Sequence, residues 1–239
     1  MKAIIVAGGK GERLRPLTDT LPKPMVEIGG KPLLFHTLNL LKSHDITEFI
    51  IALCYLPEKI VSYFGDGSQF GINIKYTYEE LLKPLGTAGA ITLAKKHIKE
   101  TFIVTYADIV RELNVTEMIE HHKQTNAFAT LNVYKREGPD PKSMIEFDDT
   151  KRILKFIERP TVKDTEGKFV WANGSFYILE PEIFDWVPHH PKSDFGADIF
   201  PKLLAEKKAL YAYPATGYFI DIGNLEKLDT ARKTFSKMQ

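Results

Sequence analysis

The sequence has little of several features that mark common classes of protein. Cys54 is the only cysteine among 239 residues, which excludes a disulfide within the chain and a zinc site built on cysteines. The 32 basic and 31 acidic side chains leave a net charge of +1, so overall charge gives no indication of a nucleic-acid-binding surface. No stretch approaches the roughly 18 apolar residues of a membrane helix, and the N-terminal apolar run is too short for a signal peptide. We therefore expect a cytoplasmic protein that binds neither nucleic acid nor a membrane.

Short apolar runs alternate with segments of helical periodicity in the first half of the chain. The strand-like runs are Lys2–Ala7, Glu48–Leu53, Ile72–Tyr76 and Phe102–Tyr106, and the helical segments are Pro32–His44, Pro57–Phe64 and Gly86–Ile98. This alternation predicts a parallel sheet with helices on both faces. Beyond about residue 113 the pattern loosens into strands separated by polar turns, which predicts an appended β-rich part. There, residues 194–206 have helical periodicity but contain Pro201, which predicts a helix that kinks or starts late.

The strongest motif is the loop after the first strand, GGKGERLRPLTDTLPKP, which runs from Gly8 to Pro24. Glycines after a buried strand let backbone N–H groups approach a phosphate. Cationic donors are added by Lys10, Arg13, Arg15 and Lys23. The alternative is a glycine-rich turn with solvated charges, but it explains poorly why glycines and cations are so concentrated directly after a buried strand.

Two other phosphate-binding motifs are excluded in this loop. A P-loop requires a Gly-Lys-[Ser/Thr] sequence that this chain lacks, and a dinucleotide-binding fingerprint requires a third glycine where Leu14 stands. A nicotinamide-dependent dehydrogenase that uses the glycine loop is therefore a weaker alternative, and it gives no reason for the Pro-Lys-Pro at the end of the loop.

The loop resembles the signature of the sugar-1-phosphate nucleotidylyltransferases, and in appearance the mannose-1-phosphate and heptose-1-phosphate guanylyltransferases most of all. Further segments match in the family's order: PLGTAGA at 84–90, Asp108, Glu158-Arg159-Pro160, Asn173-Gly174 and FIDIG at 219–223. The resemblance implies an α/β fold with a Rossmann-like mixed, mainly parallel sheet flanked by helices on both faces, and a smaller β-rich sugar-binding part. It implies a single domain over 1–239, nucleotide-binding to about 112 and sugar-binding from about 113, with no C-terminal β-helix.

The resemblance also assigns roles to residues. Catalysis would fall to Arg13 on the leaving pyrophosphate, Lys23 on the α-phosphate or the attacking phosphate, and Asp108. The nucleotide and the sugar would be bound by Ala7, Gly8, Gly9, Gly11, Gly86, Thr87, Glu158, Arg159 and Asn173. Asp108 and Asp221 would hold Mg²⁺, and a carboxylate flanked by isoleucines, as Asp221 is, needs a metal or another partner when buried.

The chain departs from the family pattern at several positions. Arg159 stands where the family has lysine, which keeps the charge but changes its geometry. Ser143 and Met144 replace a Tyr-Gly pair at the start of the sugar loop, and Ser175 takes the third place of an Asn-x-Gly triplet, where we expect it only to stiffen the strand. Among the predicted contacts to substrate, those to the sugar are therefore the ones that the sequence defines least.

The predicted reaction is Mg²⁺-dependent transfer of a nucleoside monophosphate from an NTP to a sugar 1-phosphate, which gives an NDP-sugar and pyrophosphate. GTP and a mannose- or heptose-type sugar are favoured. Uridylyl or thymidylyl transfer to glucose, N-acetylglucosamine or muramate-type 1-phosphates stays open, as does a non-catalytic relative that only binds sugar nucleotides. The partners are an NTP and a sugar 1-phosphate, and assembly into a homo-oligomer is left open.

Overall fold

A computed structural model describes residues 1–136, 142–161, 164, 170–188 and 192–235. Its α-helices are α1 Leu33–Lys42, α2 Pro57–Phe64, α3 Gly86–Thr92, α4 Val115–Gln124, α5 Phe200–Ala205 and α6 Leu225–Phe235. Its strands are β1 Lys2–Val6, β2 Glu27–Ile28, β3 Lys31–Pro32, β4 Glu48–Leu53, β5 Asn73–Tyr78, β6 Phe102–Tyr106, β7 Ile109–Arg111, β8 Ala129–Arg136, β9 Ser143–Phe147, β10 Ile153–Glu158, β11 Val170–Leu179, β12 Leu210–Ala215 and β13 Phe219–Asp221.

The chain forms two compact units that interleave along the sequence. The N-terminal unit comprises Lys2–Pro84, Tyr106–Glu112 and Gly217–Gln239, and the central unit comprises Met1, Leu85–Thr105 and Leu113–Thr216. The border at residue 112 coincides with one of the unit borders. The division into a nucleotide half and a sugar half of one domain stays a prediction.

The N-terminal unit is built on the parallel strands β1, β4 and β5. Ile4 lies opposite Ile50 and Ile50 lies opposite Lys75, so β4 runs between its two partners. Strand β4 is buried after its first residue, whereas β5, which among the described strands pairs with β4 alone, has several exposed positions. The predicted bounds of β4, α2 and β6 are confirmed, and α1 begins directly after Pro32, as its N-terminal proline indicates.

The long first loop is more structured than its sequence indicates. Three 3₁₀ turns, Glu12–Leu14, Leu17–Asp19 and Lys23–Met25, follow one another before the β2–β3 hairpin. The hydroxyl of Thr18 donates to the carbonyl of Gly11 at 2.8 Å, and the hydroxyl of Tyr55 donates to the carbonyl of Thr18 at 3.0 Å. Apolar side chains of the loop enter a buried cluster of Leu14, Val26, Ile28, Leu33, Val110, Ile222, Leu228 and Ala231. Long-range packing therefore supports the loop.

The central unit is organised around strand β11. It pairs antiparallel with β6, β8 and β9, while β10 pairs antiparallel with β9 and β12 pairs parallel with β8. The predicted helix at 194–206 is one π-helical turn, Phe195–Ile199, followed by α5 with Pro201 in its first turn, so the α-helix starts late as expected. The helix predicted over 86–98 is shorter, because α3 ends at Thr92 and a 3₁₀ turn follows.

The helices of the described ranges are too short or too polar to cross a membrane.

Substitutions at two glycines of the N-terminal unit distinguish the effect of backbone strain from that of steric overlap. Gly67 has φ +88° and a Cβ there would lie 2.9 Å from the carbonyl oxygen of Ile72, whereas Gly30 has φ +71° and open space around a Cβ. We expect Gly30→Ala to lower the free energy of unfolding by about 1–2 kcal/mol through φ alone, and Gly67→Ala to lower it by roughly 3 kcal/mol or more because overlap is added. Urea denaturation measures both, and equal losses in the two variants would contradict the packing at Gly67.

Candidate active site

A polar cleft of about 460 Å³ lies in the N-terminal unit at the end of β1. It is lined by Gly9, Lys10, Gly11, Glu12, Arg13, Leu14, Lys23, Asp108 and Gly223. The first loop supplies most of this lining, and residues that lie far apart in the sequence complete it. The cleft thus brings together five of the predicted site residues.

Backbone hydrogen bonds carry Asp108 to this position. The N–H of Ala107 donates to the carbonyl of Val6, the last residue of β1, at 3.2 Å. Asp108 therefore leaves β6 beside the point where the glycine loop leaves β1. In α/β proteins, ligands bind outside the carboxyl ends of the strands. Asp108 and the start of the glycine loop both lie at such an end.

The glycines of the loop are required for different reasons. Gly11 has φ +66°, and a Cβ there would lie 3.0 Å from side-chain atoms of both Lys23 and Thr18. Gly8 packs tightly, since its Cβ would lie 3.0 Å from Cβ of Cys54. Gly9 would meet nothing within 4 Å, so the fold itself does not require a glycine there. Because Gly9 lines the cleft, a missing side chain at this position leaves room for a ligand to approach the backbone.

Lys23 and Asp108 form an ion pair inside the cleft. The Nζ of Lys23 lies 2.5 Å from Oδ2 of Asp108, and the lysine side chain is only 12% exposed. The pair holds both side chains at the same cleft, which both residues line. The carboxylate of Asp108 offers the hard oxygen ligands that Mg²⁺ prefers, so the donor chemistry fits that ion.

Asp221 lies close to Asp108 in the chain's topology. Strand β13 pairs antiparallel with β7, so that Asp221 lies opposite Ile109, and the N–H of Ile222 donates to the carbonyl of Asp108 at 3.1 Å. Among the described residues that line the cleft, this segment is represented by Gly223 and not by Asp221. The role of Asp221 as a second metal ligand stays a prediction.

The cations of the loop do not all face the cleft. Arg13 and Lys10 line it, and a Cβ on Gly223 would lie 3.6 Å from the guanidinium of Arg13. Arg15 instead pairs on the surface with Asp19, with Nε and Oδ1 3.2 Å apart. Ala7 donates its N–H to the carbonyl of Ala52 at 2.9 Å and belongs to the core.

The central unit brings together a second group of predicted residues around Glu158. Its carboxylate lies against Gly196, where a Cβ would overlap Oε2 of Glu158. Burial, and after it the negative charge of Asp194, raises the pKa of Glu158 to about 7, against the lowering effect of the cations Arg159 and Lys142. A carboxyl that exchanges its proton near neutral pH can either donate or accept a hydrogen bond.

Gly86 and Thr87 begin helix α3 and are held by the same part of the chain. Gly86 has φ +81°, and a Cβ there would overlap the carbonyl oxygen of Ser193. The hydroxyl of Thr87 donates to Oδ2 of Asp194 at 2.7 Å. The predicted nucleotide loop and the predicted sugar-side carboxyl therefore share one neighbouring segment.

Asn173 lies at a β-bulge of β11, where the register with β8 shifts between Asn173 and Tyr177. Its Nδ2 donates to the hydroxyl of Tyr177 at 2.8 Å, and its Oδ1 accepts the N–H of Ser175 at 2.9 Å. Ser175 has φ +54°, and a Cβ on Gly174 would overlap Asn132. The expectation that Ser175 only stiffens the strand is wrong, because this residue turns the chain inside the bulge.

Ser143 connects Asn173 to Glu158. It lies opposite Glu158 in the β9–β10 pair, and its buried hydroxyl accepts the N–H of Asn173 at 2.8 Å. Arg159, by contrast, is exposed, has φ +51° and donates its N–H to the carbonyl of Lys142 at 2.9 Å. Ser143, the first of the two residues that stand where the family has a Tyr-Gly pair, thus joins two predicted sugar-binding positions.

Several residues of these two groups were missed from the sequence. From the sequence, Lys10 is a cation of the loop with no assigned role, Asp194 is only the first residue of a helical segment, and Ser193 has no predicted role. The signal for Asp194 is an acidic residue directly before helical periodicity, which is typical of an N-cap, and its side chain does accept the N–H of Gly196 at 3.1 Å. Its contact with Thr87 has no local signal, because the two residues are 107 positions apart.

Curated proteins of similar sequence are sugar-1-phosphate nucleotidylyltransferases by name. The UTP–glucose-1-phosphate uridylyltransferase of Synechocystis sp. is 34% identical over 237 residues, which cover 94% of this chain and 61% of that protein. The mannose-1-phosphate guanyltransferase of Candida albicans is 35% identical over 229 residues, which cover 93% and 61%. The chain thus spans about three fifths of the length of these relatives.

Solved structures of similar fold cover almost the whole chain. A putative glucose-1-phosphate thymidylyltransferase from Bacillus anthracis, in complex with a sucrose, has a TM-score of 0.87 at 23% identity over 100% of this chain and 96% of its own. This likeness confirms the predicted fold class, a mixed, mainly parallel sheet flanked by helices with further antiparallel strands. The HddC protein of Yersinia pseudotuberculosis, complexed with GMP-PN, has a TM-score of 0.80 at 28% identity over 98% and 99%.

The sequence model described as nucleotidyl transferase matches residues 2–237 of this chain. The match covers the first loop, Asp108 and every other residue of the two groups described above. The chain is a member of the nucleotidyl transferase family.

Proposed function

We propose that this protein transfers a nucleoside monophosphate from an NTP to a sugar 1-phosphate. The observation that carries the proposal is the cleft at the end of β1, which is lined by Arg13, Lys23 and Asp108 together with Gly9, around which the space for a side chain is open. Positively charged donors beside unobstructed backbone N–H groups bind phosphates, and a carboxylate in the same cleft can hold the metal that accompanies an NTP.

The reaction is an in-line displacement at the α-phosphorus of the NTP. An oxygen of the sugar phosphate forms the new P–O bond, the bond from the α-phosphorus to the oxygen that bridges to the β-phosphate breaks, and pyrophosphate leaves with the electron pair. The side chains act by positioning and by neutralising charge, so a nucleophilic residue is not required. Cys54 agrees with this, because burial and the nearby Glu79 raise the pKa of its thiol and keep it protonated.

We assign phosphate and metal binding to residues of the N-terminal unit. Arg13 binds the leaving pyrophosphate and Lys23 binds the α-phosphate or the attacking phosphate, because both line the cleft that holds Asp108. Asp108, with Asp221 as the second carboxylate, would hold Mg²⁺. The ion would neutralise the triphosphate and orient the leaving group.

We assign the nucleoside and the sugar to residues of the central unit. Gly86 and Thr87 face the nucleoside, while Glu158 and Asn173 hold sugar hydroxyls. Asn173 already uses both side-chain atoms within its bulge, so Glu158 is the stronger candidate for direct contact. Its carboxyl is only half-buried and lies beside the loop that contains Thr87, through Asp194.

The favoured substrates are GTP and a mannose- or heptose-type 1-phosphate. Two comparisons support guanylyl transfer: the identity to mannose-1-phosphate guanyltransferases, and the likeness to a protein solved with GMP-PN. The uridylyltransferase from Synechocystis, of similar identity, supports UTP and glucose 1-phosphate as the second candidate pair.

The first test is pyrophosphate release with Mg²⁺, crossing GTP, UTP, dTTP, CTP and ATP with mannose, heptose, glucose, N-acetylglucosamine and muramate-type 1-phosphates. We expect turnover with GTP and a mannose- or heptose-type substrate. Asp108→Asn should reduce the rate about a hundredfold or more, because the metal loses a charged ligand. Asp19→Asn is the matched control, since Asp19 lies in the same loop but is exposed and pairs with Arg15. NTP binding without pyrophosphate release from any pair would contradict catalysis and favour the binding-only relative.

A second prediction concerns pH. At a pH above its pKa of about 7, the carboxyl of Glu158 is ionised and accepts a hydrogen bond from a sugar hydroxyl. The KM for the sugar 1-phosphate should therefore fall several-fold as the pH rises through about 7. In Glu158→Gln only the titration of the substrate's own phosphate should remain. Glu146→Gln, at an exposed position of β9, should behave as the wild type. A wild-type pH profile in the Glu158→Gln variant would exclude this role.

The same group makes stability depend on pH in a defined direction. The folded-state pKa of about 7 lies above the ordinary value of 4.5, so the folded protein binds this proton more tightly than the unfolded chain. Its stabilising contribution is present below pH 4.5 and is lost as pH rises through about 7. Urea denaturation should therefore show that the stability of the wild type relative to Glu158→Gln falls over this range, independently of any activity. A constant difference would contradict the burial of Glu158.

A further inference from the structure

The segment Ser193–Gly196 makes hydrogen bonds to the first turn of helix α3, although the two lie far apart in the sequence. The N–H of Ser193 donates to the carbonyl of Leu85 at 2.8 Å, and the carbonyl of Ser193 accepts the N–H groups of Ala88 at 3.1 Å and Gly89 at 3.3 Å. Leu85 stands at the N-cap of α3 and makes no side-chain cap. The carbonyl of Ser193 therefore does the work that a local N-cap side chain does in most helices.

Asp194 fixes the side chain of Thr87. The threonine hydroxyl donates to Oδ2 of Asp194 at 2.7 Å and accepts the N–H of Phe195 at 3.1 Å. The other carboxylate oxygen accepts the N–H of Gly196 at 3.1 Å, which holds the carboxylate in place. Thr87 is thus restrained both as donor and as acceptor, which selects one side-chain orientation.

Phe195 anchors this segment in the core. Its ring is fully buried and lies 5.2 Å from the ring of Tyr177 and 5.4 Å from that of Phe200, centroid to centroid. Tyr177 is also the residue whose hydroxyl accepts from Asn173. The segment that restrains Thr87 is therefore itself rigidly supported.

At each of the two places where the segment contacts its neighbours, there is no room for a residue larger than glycine. A Cβ on Gly86 would overlap the carbonyl oxygen of Ser193, and a Cβ on Gly196 would overlap the carboxylate of Glu158. One side of the segment thus packs against the loop that we assign to the nucleoside. The other side packs against the carboxyl that we assign to the sugar.

We propose that Asp194 is a positioning residue of the transfer reaction, which holds Thr87 and the Gly86–Thr87 turn in the orientation that receives the NTP. The inference rests on the proposed function and deepens it. Asp194 contributes without touching substrate, because its two oxygens are engaged by Thr87 and Gly196. Pre-organising the turn lowers the entropy lost when the nucleotide binds.

Asp194→Asn tests this role without removing the cap. The amide oxygen of asparagine can still accept the N–H of Gly196, but its NH₂ group meets the donor hydroxyl of Thr87 and forces that hydroxyl to turn. We expect the KM for the NTP to rise about tenfold, the loss of one well-placed hydrogen bond, with a small change in Tm. Asp198→Asn is the matched control, because Asp198 is exposed on the same turn and its amide can still accept the N–H of Asp194.

A double-mutant cycle with Thr87→Val distinguishes positioning from general destabilisation. If Asp194 acts through Thr87, the double variant should have the same KM for the NTP as the more affected single variant. Additive effects, or a lowered Tm with an unchanged KM for the NTP, would overturn the inference. Asp194→Asn should also move the pH dependence of the KM for the sugar phosphate to lower pH, because a negative charge beside Glu158 is removed.

The experiment separates this inference from the proposed function. If no substrate pair releases pyrophosphate but calorimetry shows that an NTP binds, transfer is contradicted, and the same cycle is measured on the dissociation constant of the NTP. We then expect the same tenfold weakening in Asp194→Asn. If the wild type binds no NTP, both proposals are overturned.

Discussion

The structure of the cleft depends on the charge pair between Lys23 and Asp108. Between Gly8 and Lys31 the chain has only one-turn helices and a two-residue hairpin, so contacts with distant residues define its path. A lysine with 12% of its side chain exposed is costly unless an opposite charge accompanies it. In the proposed reaction each partner would meet a new opposite charge, Asp108 a magnesium ion and Lys23 a phosphate. The pair thus holds both side chains in place before a substrate would arrive.

Strands and helices that are determined by local sequence patterns could be predicted. The apolar run Glu48–Leu53 and the proline-led helix Pro57–Phe64 have the bounds that the sequence indicates, because burial on both faces and an N-terminal proline leave few alternatives. The late start of α5 follows from Pro201 in the same way. Asp108 also lies where a residue after a buried strand is expected, at the edge where β1 ends.

Features that depend on distant neighbours could not be predicted. At the bulge that follows Asn173, Gly174 lies against Asn132 of β8, and no local sequence pattern predicts that approach. Asp194 reads as an ordinary helix cap until β11 and its neighbours place Thr87 beside it. The three turns of the first loop depend on Tyr55 and on the core residues that follow Gly217. In each case the chain's own propensity is weak and tertiary contact decides.

The interleaving of the two units has a consequence for how the protein comes into being on the ribosome. The apolar cluster beneath the first loop combines Leu14 and Val26, made before the central unit, with Ile222 and Leu228, made after it. The first loop is therefore translated long before its support exists, because the whole central unit is made in between. Contacts between residues so far apart in the sequence form slowly, and the apolar side chains stay exposed until they form. The nascent chain can therefore complete the support of this loop only after the segment that begins at Gly217 has been made.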